Sequence, residues 1–456
     1  MDMKQLVDKQ RDFFQTQVTH SIAFRLKALE RLEQGIKDME QEIYAALKAD
    51  LNKSSFEAYM TEVGMTLAEL SFVKKRLKKW AMKQPVPTPL AQFPAVSFTV
   101  AEPYGVVLIM SPWNYPFMLC MEPLIGALAA GNCCILKPSA YSEAVSAVIV
   151  KLIKKVFPAK YVTVVEGGRK ENTELLDQRF DYIFFTGGVT VGKLVMEKAS
   201  RNLTPVSLEL GGKSPCIIDE TADIHMAAKR LVFGKFLNSG QTCVAPDYVL
   251  VQDTVEQELL LFVKYWIKKM FGDDPLQNPD YPKIINEKHF QRILGLLENE
   301  KIAAGGRSNT QTRQIEPTVL SDVSADAPVM QEEIFGPILP ILKFHSLNDA
   351  KKIITSHEKP LALYMFTTDV KNQEWIMNNI SYGGGCINDT IVHLATSRMG
   401  FGGVGGSGMG SYHGKLSFET FSHRKSIVKK ANWLDLPIRY QPYNGVKEKL
   451  LHLFLR

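Results

Sequence analysis

The sequence predicts an α/β protein in which parallel sheets are covered by helices on both faces. Short apolar runs typical of buried strands occur at residues 105–110, 133–137, 161–165, 182–185 and 205–209. Helical segments separate these runs, and polar or glycine-containing segments follow them. Buried strands that alternate with helices are typical of parallel sheets, whose ligands bind at the carboxyl ends of the strands.

The chain up to about residue 83 is predicted to be helical. Apolar positions recur there every three or four residues, as in Ile22, Leu26, Leu29 and Leu32. Prolines between residues 85 and 89 then end the helical pattern. The alternation of apolar and polar residues over 96–100 predicts a half-exposed strand.

Chemically useful side chains directly follow four of the predicted strands, at residues 112–114, 137–139, 186–188 and 209–212. Because the carboxyl ends of parallel strands meet at one edge of a sheet, we expect these segments to lie close together. The sequence therefore predicts a ligand site at this edge.

A second α/β region is predicted from about residue 216 to residue 397. Its predicted elements are a helix from Asp223, strands at 248–251 and 340–344, and helices at 255–271 and 286–300. The last sixty residues begin with a glycine-rich loop and end in strand-like and irregular sequence.

Composition argues against several classes of function. The net charge is +6, and the dense basic run at residues 74–79 lacks the interleaved aromatic residues of a nucleic-acid interface. No apolar run approaches the roughly 20 residues of a membrane helix, and no secretory signal is visible. The six scattered cysteines have no zinc spacing, so we expect a cytoplasmic protein without disulfides or a metal site.

A candidate nucleophile, Cys243, lies between a predicted helix and a predicted strand, just after Gly240. A turn at this place leaves backbone amides free and exposes the thiol. A lone cysteine is more often a small buried apolar residue, so this position alone decides little.

Two further segments support a reactive Cys243. Residues 206–215 read Val-Ser-Leu-Glu-Leu-Gly-Gly-Lys-Ser-Pro, and residues 332–337 read Glu-Glu-Ile-Phe-Gly-Pro. With residues 240–248, these segments resemble the NAD(P)-dependent aldehyde dehydrogenases. The amino-acid sequences of residues 240–248 and 402–424 are most similar to those of the class 3 branch.

The resemblance implies a Rossmann-like dinucleotide-binding domain formed by residues 1–83 and 101–210. It also implies a catalytic domain over residues 211–397 that carries the nucleophilic cysteine. Bridging or oligomerisation segments are expected at residues 84–100 and 398–456. Class 3 relatives are typically dimers, so a homodimer is expected, with the apolar tail docked on a partner subunit.

The resemblance also assigns catalytic roles. Cys243 attacks the aldehyde, Asn114 and the Cys243 amide stabilise the oxyanion, and Glu209 activates the water that hydrolyses the thioester. Each assignment meets a physical need, because an amide N–H is a good oxyanion donor and a carboxylate at a buried strand end is costly unless it is used. A relative that transfers the acyl group to coenzyme A and a catalytically idle nucleotide-binding protein are the alternatives.

The cofactor contacts implied by the resemblance are Lys137, Ser139, Thr186, Gly187, Gly188, Gly192, Leu210, Glu333 and Phe335. A helix is predicted over residues 193–200, after these glycines, and helix N-termini favour phosphate. Without the resemblance, a plain strand-to-helix turn explains the glycines equally well. The chain departs from many relatives at Ala140, where they have a glutamate. This departure predicts that both NAD and NADP are used.

Two glycine-rich segments are not interpreted as phosphate-binding motifs. The segment at residues 187–194 has Leu194 where a phosphate loop requires Ser or Thr. The segment at residues 403–408 matches the spacing of a dinucleotide motif, but no predicted strand leads into it and no helix follows. It is predicted to be a loop.

Overall fold

A computed structural model describes residues 2–455, which form helices packed on three principal sheets. The helices are α1 Met3–Gln15, α2 Ile22–Asp38, α3 Glu40–Leu51, α4 Ser55–Ala58, α5 Gly64–Trp80, α6 Met118–Ala130, α7 Glu143–Val156, α8 Arg169–Leu176, α9 Val189–Ser200, α10 Ile224–Phe236, α11 Glu256–Phe271, α12 Glu287–Gly295, α13 Pro328–Gln331, α14 Leu347–Thr355, α15 Val370–Asn379, α16 Gly414–Thr420 and α17 Gly445–Phe454. A single π-helical turn, Tyr59–Val63, joins α4 to α5.

The strands follow the predicted order closely. They are β1 Gln84–Val86, β2 Ala95–Pro103, β3 Val106–Met110, β4 Cys133–Lys137, β5 Val162–Val164, β6 Tyr182–Thr186, β7 Val206–Glu209, β8 Pro215–Ile218, β9 Tyr248–Gln252, β10 Ile302–Ala304, β11 Ser308–Asn309, β12 Gln314–Ile315, β13 Thr318–Leu320, β14 Ile338–Phe344, β15 Ala362–Phe366, β16 Gly384–Ile387, β17 Gly408–Met409 and β18 Ser422–Lys430. The α/β fold class with parallel sheets is confirmed.

The first sheet has six strands in the order β17-β7-β6-β3-β4-β5. All neighbours are parallel except β17, which pairs antiparallel with β7. The chain starts at β3, runs outward to β5 and returns on the other side of β3 as β6. The strand order therefore reverses between β3 and β6, and such a switch point opens a crevice beyond the strand ends.

The second sheet has seven strands in the order β10-β13-β14-β9-β8-β15-β16. Only its edge strand β10 is antiparallel to its neighbour. The crossover from β8 to β9 consists of α10 and the loop that carries Cys243. The third sheet, β1-β2-β18, is antiparallel and joins residues 84–103 to residues 422–430.

The structure corrects three predicted boundaries. Helix α9 begins at Val189 rather than at Lys193, because Gly192 lies inside the helix, where an added Cβ would be only 2.6 Å from the Leu210 side chain. Helix α12 ends at Gly295 rather than near residue 300, and Asn299 beyond it adopts a left-handed φ of 65°.

The third correction concerns the end of the chain. The tail was expected to be irregular, but residues 445–454 form α17, whose N-terminus is capped by the Asn444 side chain. Most of its apolar residues lie exposed, including Val446 and Leu453. Within residues 2–455, no helix is both long enough and apolar enough to cross a membrane.

Candidate active site

A sharp turn after α10 presents Cys243. Asn238, Ser239 and Gly240 adopt left-handed φ values of 51°, 53° and 73° in succession. A Cβ at position 240 would overlap the Gly336 carbonyl, so this position requires glycine. Left-handed conformations of non-glycine residues cost free energy and persist only where the surroundings hold them. The surrounding structure therefore imposes this turn.

Hydrogen bonds from neighbouring loops hold this turn. The Gln241 side chain donates to the Asn238 and Lys283 carbonyls at 3.0 Å each, and it accepts from the Ile285 amide at 3.0 Å. The Ser239 hydroxyl donates to the Pro282 carbonyl at 3.1 Å. The backbone that leads into the thiol is therefore fixed, as a reactive side chain requires.

A cavity of about 570 Å³ lies between the first two sheets and reaches Cys243. Nine of the twelve predicted site residues line it: Asn114, Thr186, Gly187, Gly188, Glu209, Leu210, Cys243, Glu333 and Phe335. These residues come from the carboxyl ends of β3, β6 and β7, from the Cys243 loop and from the loop after α13. The structure thus brings together segments separated by more than 200 residues of sequence.

Three predicted cofactor residues, Lys137, Ser139 and Gly192, do not line this cavity. The buried Lys137 ammonium donates to the Pro138 carbonyl at 2.9 Å and to the Gly167 carbonyl at 2.7 Å, and burial lowers its pKa. An ammonium has three donors, so one remains for a ligand.

Asn114 follows β3 and is almost fully buried. Its side-chain nitrogen donates to the Gln241 carbonyl at 3.0 Å. Since an amide nitrogen carries two hydrogens and Asn114 lines the cavity, the second is available to a ligand. The main-chain carbonyl of Asn114 accepts from the Asn238 side chain at 2.8 Å, which ties the donor to the Cys243 turn.

Glu209 at the end of β7 is 3% exposed, and neither of its carboxyl oxygens has a hydrogen-bond partner. Burial raises the pKa of this carboxyl well above its usual range. A buried polar group without a partner is unusual in a folded protein, and an unpaired acid on a cavity wall is a candidate proton acceptor.

The Cys243 thiol is half-buried between two cavities. Burial, followed by the charges of Glu333 and Glu209, raises its pKa to about 12, while the backbone amides of Cys243 and Val244 act in the opposite direction. The free protein therefore holds a protonated thiol at neutral pH, and attack on a carbonyl requires the proton to leave.

An ion pair holds the loop that carries Glu333. The Lys213 ammonium donates to the Asp247 carboxylate at 2.6 Å and to the Glu332 carbonyl at 2.8 Å. The second Asp247 oxygen accepts from the Ile334 amide at 2.9 Å. Burial and then Asp247 raise the pKa of Glu333 to about 8.

The sequence analysis missed several residues of the site. The rings of Trp113 and His289 lie 5.1 Å apart, and those of Trp113 and Phe335 lie 5.2 Å apart. Arg292 lines the same cavity and donates to the Ile334 carbonyl at 2.6 Å. No local motif marks the α12 residues among them, because only the tertiary fold brings that helix to the cavity.

A second cavity, of about 200 Å³, meets the first at Cys243. Both cavities share Leu119, Cys243, Phe401 and Tyr412. The other lining residues of the smaller cavity are mostly apolar: Met60, Thr61, Met65, Tyr115, Met118, Phe233, Leu237, Thr242, Val244, Ile391, Val392, Leu394, Ala395 and His413. Cys243 thus lies where a larger mixed cavity and a smaller apolar one join.

The fold and this site define a class of enzyme. The aldehyde dehydrogenase family matches residues 1–427 of the chain. The chain belongs to the aldehyde dehydrogenase family, whose reaction is the oxidation of an aldehyde to its acid with NAD(P)+. The predicted enzyme class, reaction and NAD(P) dependence are confirmed.

Individual relatives place the chain further within the family. It is 49% identical over 446 residues to the 4,4'-diaponeurosporen-aldehyde dehydrogenase of Staphylococcus aureus, covering 97% of each chain. It is 44% identical over 443 residues to the dimeric NADP-preferring aldehyde dehydrogenase of Canis lupus familiaris, covering 96% of this chain and 98% of the relative. The predicted class 3 resemblance is confirmed.

The fold comparison agrees. A structure described as the substrate-bound state of Staphylococcus aureus AldH superposes with a TM-score of 0.98 at 48% identity, covering 99% of both chains.

Proposed function

We propose that the chain oxidises an aldehyde with a largely apolar tail, using Cys243 as nucleophile, Asn114 as oxyanion donor and Glu209 as general base. The observation that carries this assignment is the shared cavity, which places an unpartnered buried carboxyl, a free amide hydrogen and a turn-mounted thiol around one space. These are the parts that covalent acyl chemistry needs.

The cavity fits a dinucleotide. The Thr186 hydroxyl is buried without a hydrogen-bond partner on its wall, and Gly188 has open space where a Cβ would project. Val189 and Thr190, the first residues of α9, line the same cavity, so helix N-terminal amides and the helix dipole favour a phosphate there. We assign the pyrophosphate to Gly187, Gly188 and this terminus.

The other cofactor contacts are those that the family resemblance implies. Glu333 suits the hydroxyls of the nicotinamide ribose, Phe335 suits packing beside the ring, and Lys137 suits the adenosine ribose. Bound NAD(P)+ supplies the hydride acceptor for the oxidation.

The protein residues act before and after the oxidation. The Cys243 thiol releases its proton to solvent, and the thiolate sulfur forms a bond to the aldehyde carbon. The carbonyl π bond breaks, and the carbonyl oxygen becomes an oxyanion that accepts from the Asn114 amide. Once the carbon is at the acid oxidation level, the acyl group is a thioester on Cys243. Glu209 then takes a proton from water, the hydroxide adds to the acyl carbon, and the thiolate leaves.

The apolar cavity supports the proposed substrate class. Its methionines and aromatic residues provide a surface that an alkyl or polyene chain can bury. One relative carries 4,4'-diaponeurosporen-aldehyde in its name, which agrees with an apolar tail.

The assembly and location follow as proposals. A dimeric relative and the exposed apolar residues of the third sheet and of α17, such as Val428 and Leu453, support a homodimer. Cysteines that remain unpaired support a reducing cytoplasm. Light scattering and cell fractionation test the two statements. The predicted domain boundaries, 1–83 with 101–210, 211–397, and 84–100 with 398–456, remain our proposal.

Two variants test the mechanism. Cys243→Ser is expected to abolish oxidation while cofactor still binds, because a hydroxyl without a strong adjacent base is a poor nucleophile. Glu209→Gln is expected to keep a first-turnover burst of NAD(P)H and then to run about 10²–10⁴-fold more slowly. Substantial turnover by the serine variant would remove Cys243 from the mechanism, and loss of the glutamine variant's burst would place Glu209 in an earlier step.

The coenzyme A alternative has its own test. A thiol acceptor needs no water-activating base, and the unpartnered Glu209 therefore favours hydrolysis. Acid formation at the same rate with and without coenzyme A is expected. Strict dependence on coenzyme A would overturn the hydrolytic assignment.

A further inference from the structure

Two opposite charges lie fully buried behind the Asn114 segment, outside the walls of both cavities. Lys53 and Glu62 have no exposed side-chain surface, and their ammonium and carboxylate are 2.5 Å apart. Removing two charges from water costs free energy, and an apolar pair of similar size is often at least as stable. The pair therefore has to be explained by something other than stability alone.

The pair contacts the main chain at the proposed oxyanion donor and again three and four residues beyond it. The Lys53 ammonium donates to the Asn114 carbonyl at 3.1 Å and lies 4.0 Å from the centre of the Tyr115 ring. The second Glu62 oxygen accepts from the Phe117 and Met118 amides at 2.9 and 3.2 Å. The five-residue segment 114–118 is therefore held at its beginning and its end by one ion pair.

Local structure explains how these side chains reach the segment. Lys53 follows α3, and Glu62 lies in the π-helical turn Tyr59–Val63. A π turn inserts an extra residue into a helix and is frequent at functional sites, because it redirects the side chains around it. The Glu62 carboxylate meets the first amides of α6, where a helix favours negative charge.

We propose that Lys53 and Glu62 are positioning residues for the oxyanion donor, and that the pair fixes the backbone of Asn114 so that its free amide hydrogen meets the developing oxyanion. This proposal rests on the role of Asn114 in the proposed function. The physical reason is geometric, because a displacement of about 1 Å at a reacting group can cost about 10²-fold in rate.

The test removes the pair without stranding a charge. In Lys53→Met/Glu62→Leu, two apolar side chains of similar size replace the ions, which buried ion pairs often tolerate. The kcat/KM for aldehyde is expected to fall about 10- to 100-fold, because a displaced donor loses part of the 10²–10³-fold that an oxyanion donor supplies. The KM for NADP+ and the midpoint of urea unfolding are expected to change little.

A double-mutant cycle separates positioning from general structural damage. In the background of Asn114→Ala, the same pair of substitutions is expected to lower kcat/KM by less than about threefold, because residues that act through one group are not additive. A matched control is Lys213→Met/Asp247→Leu, which removes a second buried ion pair. Its loss of kcat/KM is expected to persist in both backgrounds.

Each outcome decides the question. Equal losses from the Lys53/Glu62 substitutions with and without Asn114 overturn the proposal, as does a wild-type rate in the folded variant. Glu62→Gln, which keeps the volume of the side chain but replaces the acceptor that faces Lys53 by a donor, enters the same cycle if the double variant is not recovered folded. A wild-type rate for Asn114→Ala alone would instead overturn the proposed role of Asn114.

Discussion

The buried Lys213–Asp247 pair gives the sharpest stability prediction. Lys213→Met removes an ammonium that donates to Asp247 and to the Val329 and Glu332 carbonyls, at 2.6, 3.0 and 2.8 Å. The side chains of the pair are only 6% and 5% exposed, so the remaining Asp247 carboxylate stays buried without its counter-ion. Removing one partner of such a pair costs about 3–5 kcal/mol.

We expect Lys213→Met to lower the free energy of unfolding, from urea titration, by about 3–5 kcal/mol. The same change frees the loop around Glu333, so kcat/KM measured against NADP+ is expected to fall about 10- to 100-fold. Intrinsic fluorescence during the urea titration reports the free energy of unfolding. Initial rates at several cofactor concentrations report kcat/KM.

The matched control is Lys343→Met, because Lys343 also pairs with carboxylates but lies at the surface. Solvent screens such a pair, so no resolvable change in unfolding is expected. A loss below about 1 kcal/mol for Lys213→Met would refute the reasoning, since that is the range of exposed pairs. A loss of about 3–5 kcal/mol with an unchanged kcat/KM would show that the pair stabilises the fold without positioning the Glu333 loop.

Three further predictions use other features of the site. Alkylation of Cys243 by iodoacetamide is expected to accelerate about tenfold per pH unit from 7 to 9, because the pKa of the thiol is raised to about 12 and the thiolate fraction keeps growing. A rate that levels off below pH 8 would contradict the raised pKa. Ala140→Glu is expected to shift the ratio of kcat/KM toward NAD, because a carboxylate repels the roughly −1.5 to −2 charges of a 2′-phosphate; an unchanged ratio would place the phosphate elsewhere. Gly192→Ala is expected to weaken cofactor binding measured by fluorescence titration, because the added methyl group meets Leu210 at 2.6 Å and displaces a cavity residue; unchanged binding would show that Leu210 moves aside freely.

The sequence alone predicted the location of those candidate site residues whose position follows from strand order. Asn114 follows one predicted buried strand and Glu209 ends another, so the parallel-sheet rule places both at one edge. The glycine turn before Cys243 indicated a candidate thiol, but strand order did not predict its approach to that edge. Aromatic and basic residues from α12, such as His289 and Arg292, carry no comparable signal. Their approach to the cavity depends on how α12 packs, which short-range pattern does not specify.

The Lys53–Glu62 pair escaped sequence analysis for a related reason. A lysine and a glutamate nine positions apart in a helical region are ordinarily solvated. Only the π turn and the packing of α6 bring both into the core. The early start of α9 was missed because Gly192 was interpreted as part of a loop, although its role is to leave room for Leu210.

The pairing of β17 with β7 has a consequence for the order of events during synthesis. Gly408 lies opposite Glu209, and the Leu210 amide donates to the Ser407 carbonyl. The strand that ends in the proposed base is therefore completed by residues translated about two hundred codons later. Until they emerge, β7 is an open edge and the cavity lacks Phe401 and Tyr412. We therefore expect the cavity to be complete only after the segment 401–412 has been synthesised and has packed against β7.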